Sequence, residues 1–207
     1  MKVVGFLFTL ILLLNFNIKA QDVTIGTQTW VTKNLDVESY RNGDAIPQVQ
    51  DKKAWANLTT GAWCYYEKNK ANYDSIGAIY GKLYNWYAVN DPRGLAPKGY
   101  HVPTDEEWGK LTDNLGESKA GTKMKSITGW YYNDSGGSNT SGFAGLPGGY
   151  RSANGIFGGI GSKGCWWSSS EISTNGAWSR DLNGSSGSLD FHNFYKQNGF
   201  SVRCLRD

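Results

Sequence analysis

An α+β architecture, with two main helices, short antiparallel strands and long glycine-rich loops, follows from three features of this chain. Its 9 Trp, 12 Tyr and 8 Phe can build a core from few side chains, while 27 Gly permit tight turns and close backbone contacts. Two segments, near 77–89 and 104–115, carry apolar residues at helical spacing. The C-terminal portion instead breaks into short strand-like runs separated by turn signals. The glycines recur at no fixed spacing, and no internal repeat emerges.

Met1 and Lys2 precede an apolar run from Val3 to Leu14, and Ala20 supplies a small residue at a cleavage point. That pattern predicts a signal peptide over residues 1–20 and one domain over 21–207. The apolar run falls short of the roughly 20 residues a membrane span needs. Membrane contact is therefore expected only through targeting, unless the signal stays uncleaved. The destination is the periplasm, the cell surface or the medium. Removing Lys2 and Lys19 with no acid takes the formal charge from +3 to +1. Neither that charge nor any basic cluster suits a phosphate backbone, so nucleic acid is not an expected partner.

Val23 to Val31 reads as a hairpin turned near Gly26, and Arg41-Asn42-Gly43-Asp44 as a turn leading into an irregular link past Pro47. Lys52 to Asn57 predicts one helical turn, and Ala62 to Tyr66 a strand. Tyr80, Leu83, Tyr84, Tyr87 and Ala88 follow i, i+3, i+4, i+7, i+8 spacing, with Trp86 widening the face, so a helix is expected over Gly77–Val89. Asp91-Pro92-Arg93-Gly94 stops it. The next helix opens on Thr104-Asp105-Glu106-Glu107, where Thr104 caps and Glu107 answers at the third position. Trp108, Leu111 and Leu115 share its inner face, and Gly116 ends it.

Lys119 to Ile127 is expected as a short strand, Gly129 to Tyr132 as a packed segment and Asn133 to Gly142 as a loop. Further strands are expected at Gly164–Ser170, Ala177–Leu182, Leu189–Tyr195 and Phe200–Leu205. In the last, Phe200, Val202 and Cys204 share one side, while Ser201 and Arg203 face the other. The cysteines are Cys64, Cys165 and Cys204. Export permits a disulfide, and the odd count leaves at least one thiol in a single chain. A Cys64–Cys204 bridge is favoured because it ties the last strand to an early one; three buried, reduced cysteines are the alternative.

Several motifs in order resemble the Fibrobacter succinogenes major paralogous domain family. They are Thr29-Trp30, Trp63-Cys64-Tyr65, Tyr80 to Trp86, Pro97 to Trp108, Gly142 to Arg151, Trp166 to Ser170 and Gly199 to Cys204. Together they span almost all of the mature chain. The resemblance implies an exported or cell-surface domain, distantly similar to C-type lectin-like and formylglycine-generating sulfatase-modifying domains. A compact C-type lectin-like mixed fold follows from it as an expectation; fold transfers more safely than activity. Cys64 and Cys204 match family-like cysteine landmarks, whereas Cys165 is less typical.

Catalysis finds little support. His101 and His192 are the only histidines and form no zinc motif. No two cysteines are close enough in sequence to suggest a copper-binding thiol pair, and Ser168-Ser169-Ser170-Glu171 lacks an activated-serine framework. Exposed rings beside amides suit sugar binding, which nominates Trp130, Tyr131, Tyr132, Asn133, Asp134 and Asn139 as ligand-binding candidates. Trp166, Trp167 and Trp178 are a second aromatic set. Asp134 and Asn139 also offer oxygen atoms to a structural calcium, although Asn/Asp/Gly turns explain the same residues; no other cofactor is expected. The expected role is noncatalytic binding of a glycan, peptide or envelope protein, with a purely structural envelope domain as the alternative. Replacing Thr104 by Ala should cost about 1 kcal/mol in denaturant unfolding if the cap forms.

Overall fold

A computed structural model describes residues 22–66, 73–131 and 136–207. The expected signal peptide, residues 1–20, lies outside the described residues. The chain is α+β, with five α-helices and eleven strands among the described residues.

The first hairpin forms as expected, β1 (Asp22–Ile25) against β2 (Gln28–Val31). Gly26 takes φ +61° at the first turn position, a left-handed conformation that two-residue hairpins need. Helix α1 (Lys52–Ala56) is capped by Asp51, and β3 (Trp63–Cys64) follows it.

The expected helix over Gly77–Val89 does not exist as one element. The chain instead builds α2 (Tyr73–Tyr80), β4 (Leu83–Tyr84) and α3 (Trp86–Val89). Gly81, at φ +74°, ends α2, and an added Cβ there would meet the Leu35 carbonyl oxygen at 2.9 Å. Leu83 and Tyr84 then pair with Cys64 and Trp63. Long-range pairing and a glycine stop override the local periodicity.

Strand β5 (Tyr100–His101) leads into α4 (Asp105–Leu115), which has the full capping box. Thr104 Oγ1 accepts from the Glu107 amide at 3.3 Å, and Glu107 Oε2 accepts from the Thr104 amide at 2.8 Å. The expected strand over Lys119–Ile127 is a 3-10 turn (Glu117–Lys119) followed by α5 (Ala120–Met124). Ala120, Gly121 and Met124 are its buried residues, a helical spacing that four adjacent polar residues obscure.

The remaining strands are β6 (Gly148–Arg151), β7 (Phe157–Ile160), β8 (Lys163–Ser173), β9 (Gly176–Asn183), β10 (Leu189–Tyr195) and β11 (Leu205–Arg206). They form a five-stranded sheet in the order β10-β9-β8-β6-β7, and β11 joins the four-stranded sheet β1-β2-β11-β5. The expected strand over Phe200–Leu205 is therefore mostly bridges: Phe200 to Tyr84, Ser201 to Trp166, and only Leu205 within a ladder. Both of its sides are buried, Ser201 and Arg203 included.

Strand β8 separates two cores. Trp166 packs with Trp30, Trp108, Phe143 and Leu182, while its neighbour Trp167 packs with Trp63, Tyr84, Trp86 and Phe200. A third cluster gathers Trp55, Ala62, Cys64 and Leu83. Arg203 bridges elements at the edge of this arrangement. Its Nε and Nη2 donate to Asn34 Oδ1 at 3.1 and 2.8 Å, and its Nη1 donates to the carbonyls of Val31 and Phe143 at 3.1 and 2.7 Å.

The expected Cys64–Cys204 disulfide is not formed; Cys64, Cys165 and Cys204 are all free and buried. Cys64 sits on β3 in the third cluster and Cys204 in the first, beyond Tyr84 and Val202. The two sulfurs thus belong to different packing units.

Asn34→Ala should cost about 3 kcal/mol, because it removes the one oxygen that accepts two hydrogen bonds from a buried guanidinium. Arg203→Lys should not restore stability, since an ammonium cannot make the planar fork. Urea unfolding against the surface control Lys110→Ala, expected within about 0.5 kcal/mol of wild type, checks both.

Candidate functional site

Of the six ligand-binding candidates, Trp130, Tyr131 and Asn139 fall within the described residues. Trp130 is half-buried: its Nε1 donates to Ser126 Oγ at 3.2 Å, and its ring lies 5.5 Å from Lys125 Nζ. Lys125 is itself interior and donates to the carbonyls of Asn183 and Ser186 at 3.1 and 2.8 Å. Burial pulls its ammonium below the ordinary lysine value. Tyr131 is 73% exposed, with its amide bonded to the Gly161 carbonyl at 2.7 Å. Asn139 adopts φ +48° and accepts from the Ala144 amide at 2.8 Å, so its side-chain oxygen holds a turn. Tyr132, Asn133 and Asp134 lie outside the described residues, and with Asp134 goes half of the expected calcium pair. Among the described residues, no three His, Cys, Asp or Glu side chains gather as a metal-binding group.

The second aromatic set divides. Trp166 and Trp167 are fully buried, and Trp178 is part-exposed. Around Trp178 the structure assembles a strip absent from the sequence-based candidates. Strand β10 ends the five-stranded sheet and pairs with β9 in the register Phe191 to Arg180, Asn193 to Trp178 and Tyr195 to Gly176. Alternation therefore puts Phe191, Asn193 and Tyr195 on the face of Trp178. Phe191 is 64% and Tyr195 65% exposed, and the Trp178 and Phe191 rings meet edge-on at 6.1 Å. Exposed Ile172 stands at the end of the strip.

Local backbone geometry opens this end of the sheet. The β8–β9 register shifts between Trp167 and Glu171, and again between Glu171 and Ser173, so the ribbon bends as bulges require. A shallow cavity of about 290 Å³ lies there, walled by Ile172, Ser173, Asn175, Asn193 and Tyr195. It offers an aromatic face, two amides and a hydroxyl. Arg180 is withheld from the surface by Asp105, whose Oδ1 it reaches at 2.6 Å, and its guanidinium lies 5.6 Å from the Phe191 ring. The one signal for this strip in the sequence is the alternation of Phe191, Asn193 and Tyr195 within the strand expected over Leu189–Tyr195.

A larger cavity, about 920 Å³, lies between the loop after β2 and the β5–β11 edge. Its charged groups are mostly engaged with each other: Asp22 with Arg206 and Tyr100, Asp36 with Lys82, and Asp207 with His101. His101 Nδ1 lies 2.8 Å from Asp207 and Nε2 3.0 Å from Glu107. Burial opposes protonation, but the two carboxylates outweigh it and hold His101 above its ordinary value of 6.5. Burial likewise raises Glu107, yet its bonds to Thr104 and His101 leave it below 4.5. Such a clamp anchors the end of β11 to α4.

Burial also governs the thiols. Burial lifts Cys64 and Cys204 to about 12, against the pull of Arg151 and Arg203, and lifts Cys165 well above its ordinary value. Reactive cysteines need the opposite shift.

The clamp sets a pH signature. The raised His101 contributes stability fully below pH 6.5, lost as pH rises through its folded value; the lowered Glu107 contributes above 4.5, lost as pH falls through its own. The stability gap between wild type and His101→Gln should thus be widest between those values and shrink toward pH 8, measured by thermal unfolding across pH.

The Fibrobacter succinogenes major domain family model matches residues 23–206. No curated protein and no solved structure matches the chain. With the matched region covering nearly the whole sequence, the chain belongs to the Fibrobacter succinogenes major domain family.

Proposed function

We propose that this is a noncatalytic, exported binding domain that recognises a glycan through the strip of Trp178, Phe191 and Tyr195. One observation carries the reading: two large rings, each about two-thirds exposed, stand on one face of an edge strand. Exposed aromatic faces that are not needed by a core mark interaction surfaces. The neighbouring Asn175, Asn193 and Ser173 give donors and acceptors suited to hydroxyls, and charged groups on this face are held in internal pairs. A peptide would find the same apolar rings but less use for paired amides. The C-type lectin-like relationship, and export by cleavage after Ala20, are parts of this reading. Calcium has no part in the strip, whose polar groups are neutral.

A purely structural envelope role is the second reading, favoured by the burial of seven of the nine tryptophans. The two readings diverge at the strip. Glycan-array binding followed by titration should show saturable binding that weakens about tenfold, or 1.4 kcal/mol, on Phe191→Ala or Tyr195→Ala. Both variants should keep the wild-type melting temperature, because neither ring is buried. Folded wild-type protein that binds no glycan would sink the proposal. N-terminal sequencing of protein recovered from the envelope or medium should begin at Gln21; a chain retaining Met1 would refute cleavage.

A further inference from the structure

The opposite face of β8 and β9 holds a smaller cavity of about 280 Å³. Its walls include the rings of Tyr150, Phe194 and Phe200, with Asn198, Cys165 and Asp181. Cys165 and Asp181 are cross-strand partners, so their side chains stand together on this face. The Asp181 carboxylate is buried, only 8% exposed. Ser179 Oγ donates to its Oδ1 at 3.3 Å, and the Cys165 thiol bonds the same carboxylate. Both donors are neutral. Among the described residues, no Lys, Arg or His nitrogen lies within the 4.0 Å of an ion pair with it.

Three buried cations have an acidic partner. Arg180 has Asp105, Lys82 has Asp36, and Lys196 has Glu171. A buried carboxylate with only neutral hydrogen-bond donors lacks an ion-pair partner. Here it is accompanied by aromatic rings, whose faces attract cations. Phe194 and Phe200 meet nearly edge-on, 5.2 Å apart, at an interplanar angle of 84°. Edge-on rings present two differently directed walls, as a cage does.

We propose that this cavity binds a primary ammonium group, seated against Asp181 and enclosed by Tyr150, Phe194 and Phe200. The volume admits a small amine or a single lysine side chain and is too small for an oligosaccharide. Two cationic groups share this face. Lys163 borders the cavity but is exposed, so its repulsion is screened by solvent; His192 is exposed on β10. Asp190, the cross-strand partner of Asp181, adds negative charge and accepts from Ser188 Oγ at 2.8 Å. Burial holds Asp181 above the ordinary carboxylate value, and the His192 and Lys163 charges pull against it. An arriving ammonium acts in the same direction as His192, at shorter range. The site faces the other side of the sheet from the glycan strip and makes no use of Phe191 or Tyr195, although Phe194 borders both cavities.

The test is calorimetric titration of the mature domain at pH 7 with ethanolamine and with Nα-acetyl-lysine amide. Ethylene glycol and Nα-acetyl-norleucine amide are their neutral counterparts. The amines should saturate while the neutral compounds do not. Asp181→Asn should weaken amine binding at least tenfold, and Lys163→Met should tighten it. Phe191→Ala should leave it unchanged, which separates this site from the glycan strip. If Asp181→Asn fails to fold, Tyr150→Leu replaces it and should lose affinity through the missing ring. Ethanolamine binding identifies a free amine as the source, and binding by the lysine amide alone identifies a protein side chain. Equal binding of the neutral compounds, undiminished binding in Asp181→Asn, or no saturation with either amine overturns the proposal.

Discussion

The buried fork between Arg203 and Asn34 holds together more of this structure than any strand ladder does. Asn34 Oδ1 accepts from two nitrogens of Arg203 and from Trp166 Nε1 at 2.8 Å. Its Nδ2 donates to the Tyr80 carbonyl at 2.8 Å and to Ser201 Oγ at 3.2 Å. One amide thereby joins the loop after β2, the end of α2, strand β8 and the C-terminal segment. The guanidinium stacks 4.3 Å from the Phe143 ring and has no carboxylate partner among the described residues. Burial pulls its pKa to about 9, still above neutrality, so the interior carries a full charge held by neutral oxygens. Arg151 repeats the device. It donates to the carbonyls of Val49, Gln50 and Gly155 and stacks on Trp55 and Phe157. A chain with such short strands leaves many interior carbonyls without ladder partners, and buried carbonyls must be bonded. The two arginines supply the missing donors.

That solution shapes what the sheet can do. Successive residues of β8 serve different cores, Trp166 one and Trp167 the other, so both faces of its centre are covered. Cover runs out toward β10. There Leu189 is still buried, but Phe191, His192, Asn193 and Tyr195 are exposed. Rings at that edge contribute little to either core. Their exposure is thus a property of position in the sheet, and the composition that makes this chain rich in aromatics does not by itself account for it.

What could be read beforehand was local chemistry. The Thr104–Glu107 box, the turn at Gly26 and the alternation along β10 are each decided by residues close in sequence. What could not be read depended on distant partners. Tyr80, Leu83, Tyr84 and Tyr87 match a helical stripe, yet Trp63 and Cys64 offered Leu83 and Tyr84 a ladder instead. Arg203 alternates with apolar neighbours as a solvent-facing residue would, but Asn34, more than 160 positions away, turns it inward. The sequence nominates Trp130 as a sugar platform but does not show that Lys125 approaches its ring or that Ser126 takes its nitrogen. The Cys64–Cys204 pairing failed for the same reason: two segments far apart in sequence need not share a core.

Aromatic residues in this family member consequently fall into two physical groups. Members of the first have a donor tied to a specific backbone oxygen, as Trp55 to Gln197, Trp63 to Ile46, Trp86 to Ser168 and Trp167 to Tyr84. Each of these rings thereby also fixes a distant strand or loop, whereas the buried nitrogens of Trp30 and Trp108 have no hydrogen-bond partner among the described residues. Members of the second, Phe191 and Tyr195, do not enter the core clusters, and Phe191 has no polar atom to place. Strand parity then separates the second group from the cavity behind it. Phe191, Asn193 and Tyr195 point to one side of β10, while the Phe194 ring turns to Phe200 and the Asp181 carboxylate. A seven-residue edge strand can in this way present a flat aromatic surface and close a charged pocket at once, because adjacent residues answer to opposite faces.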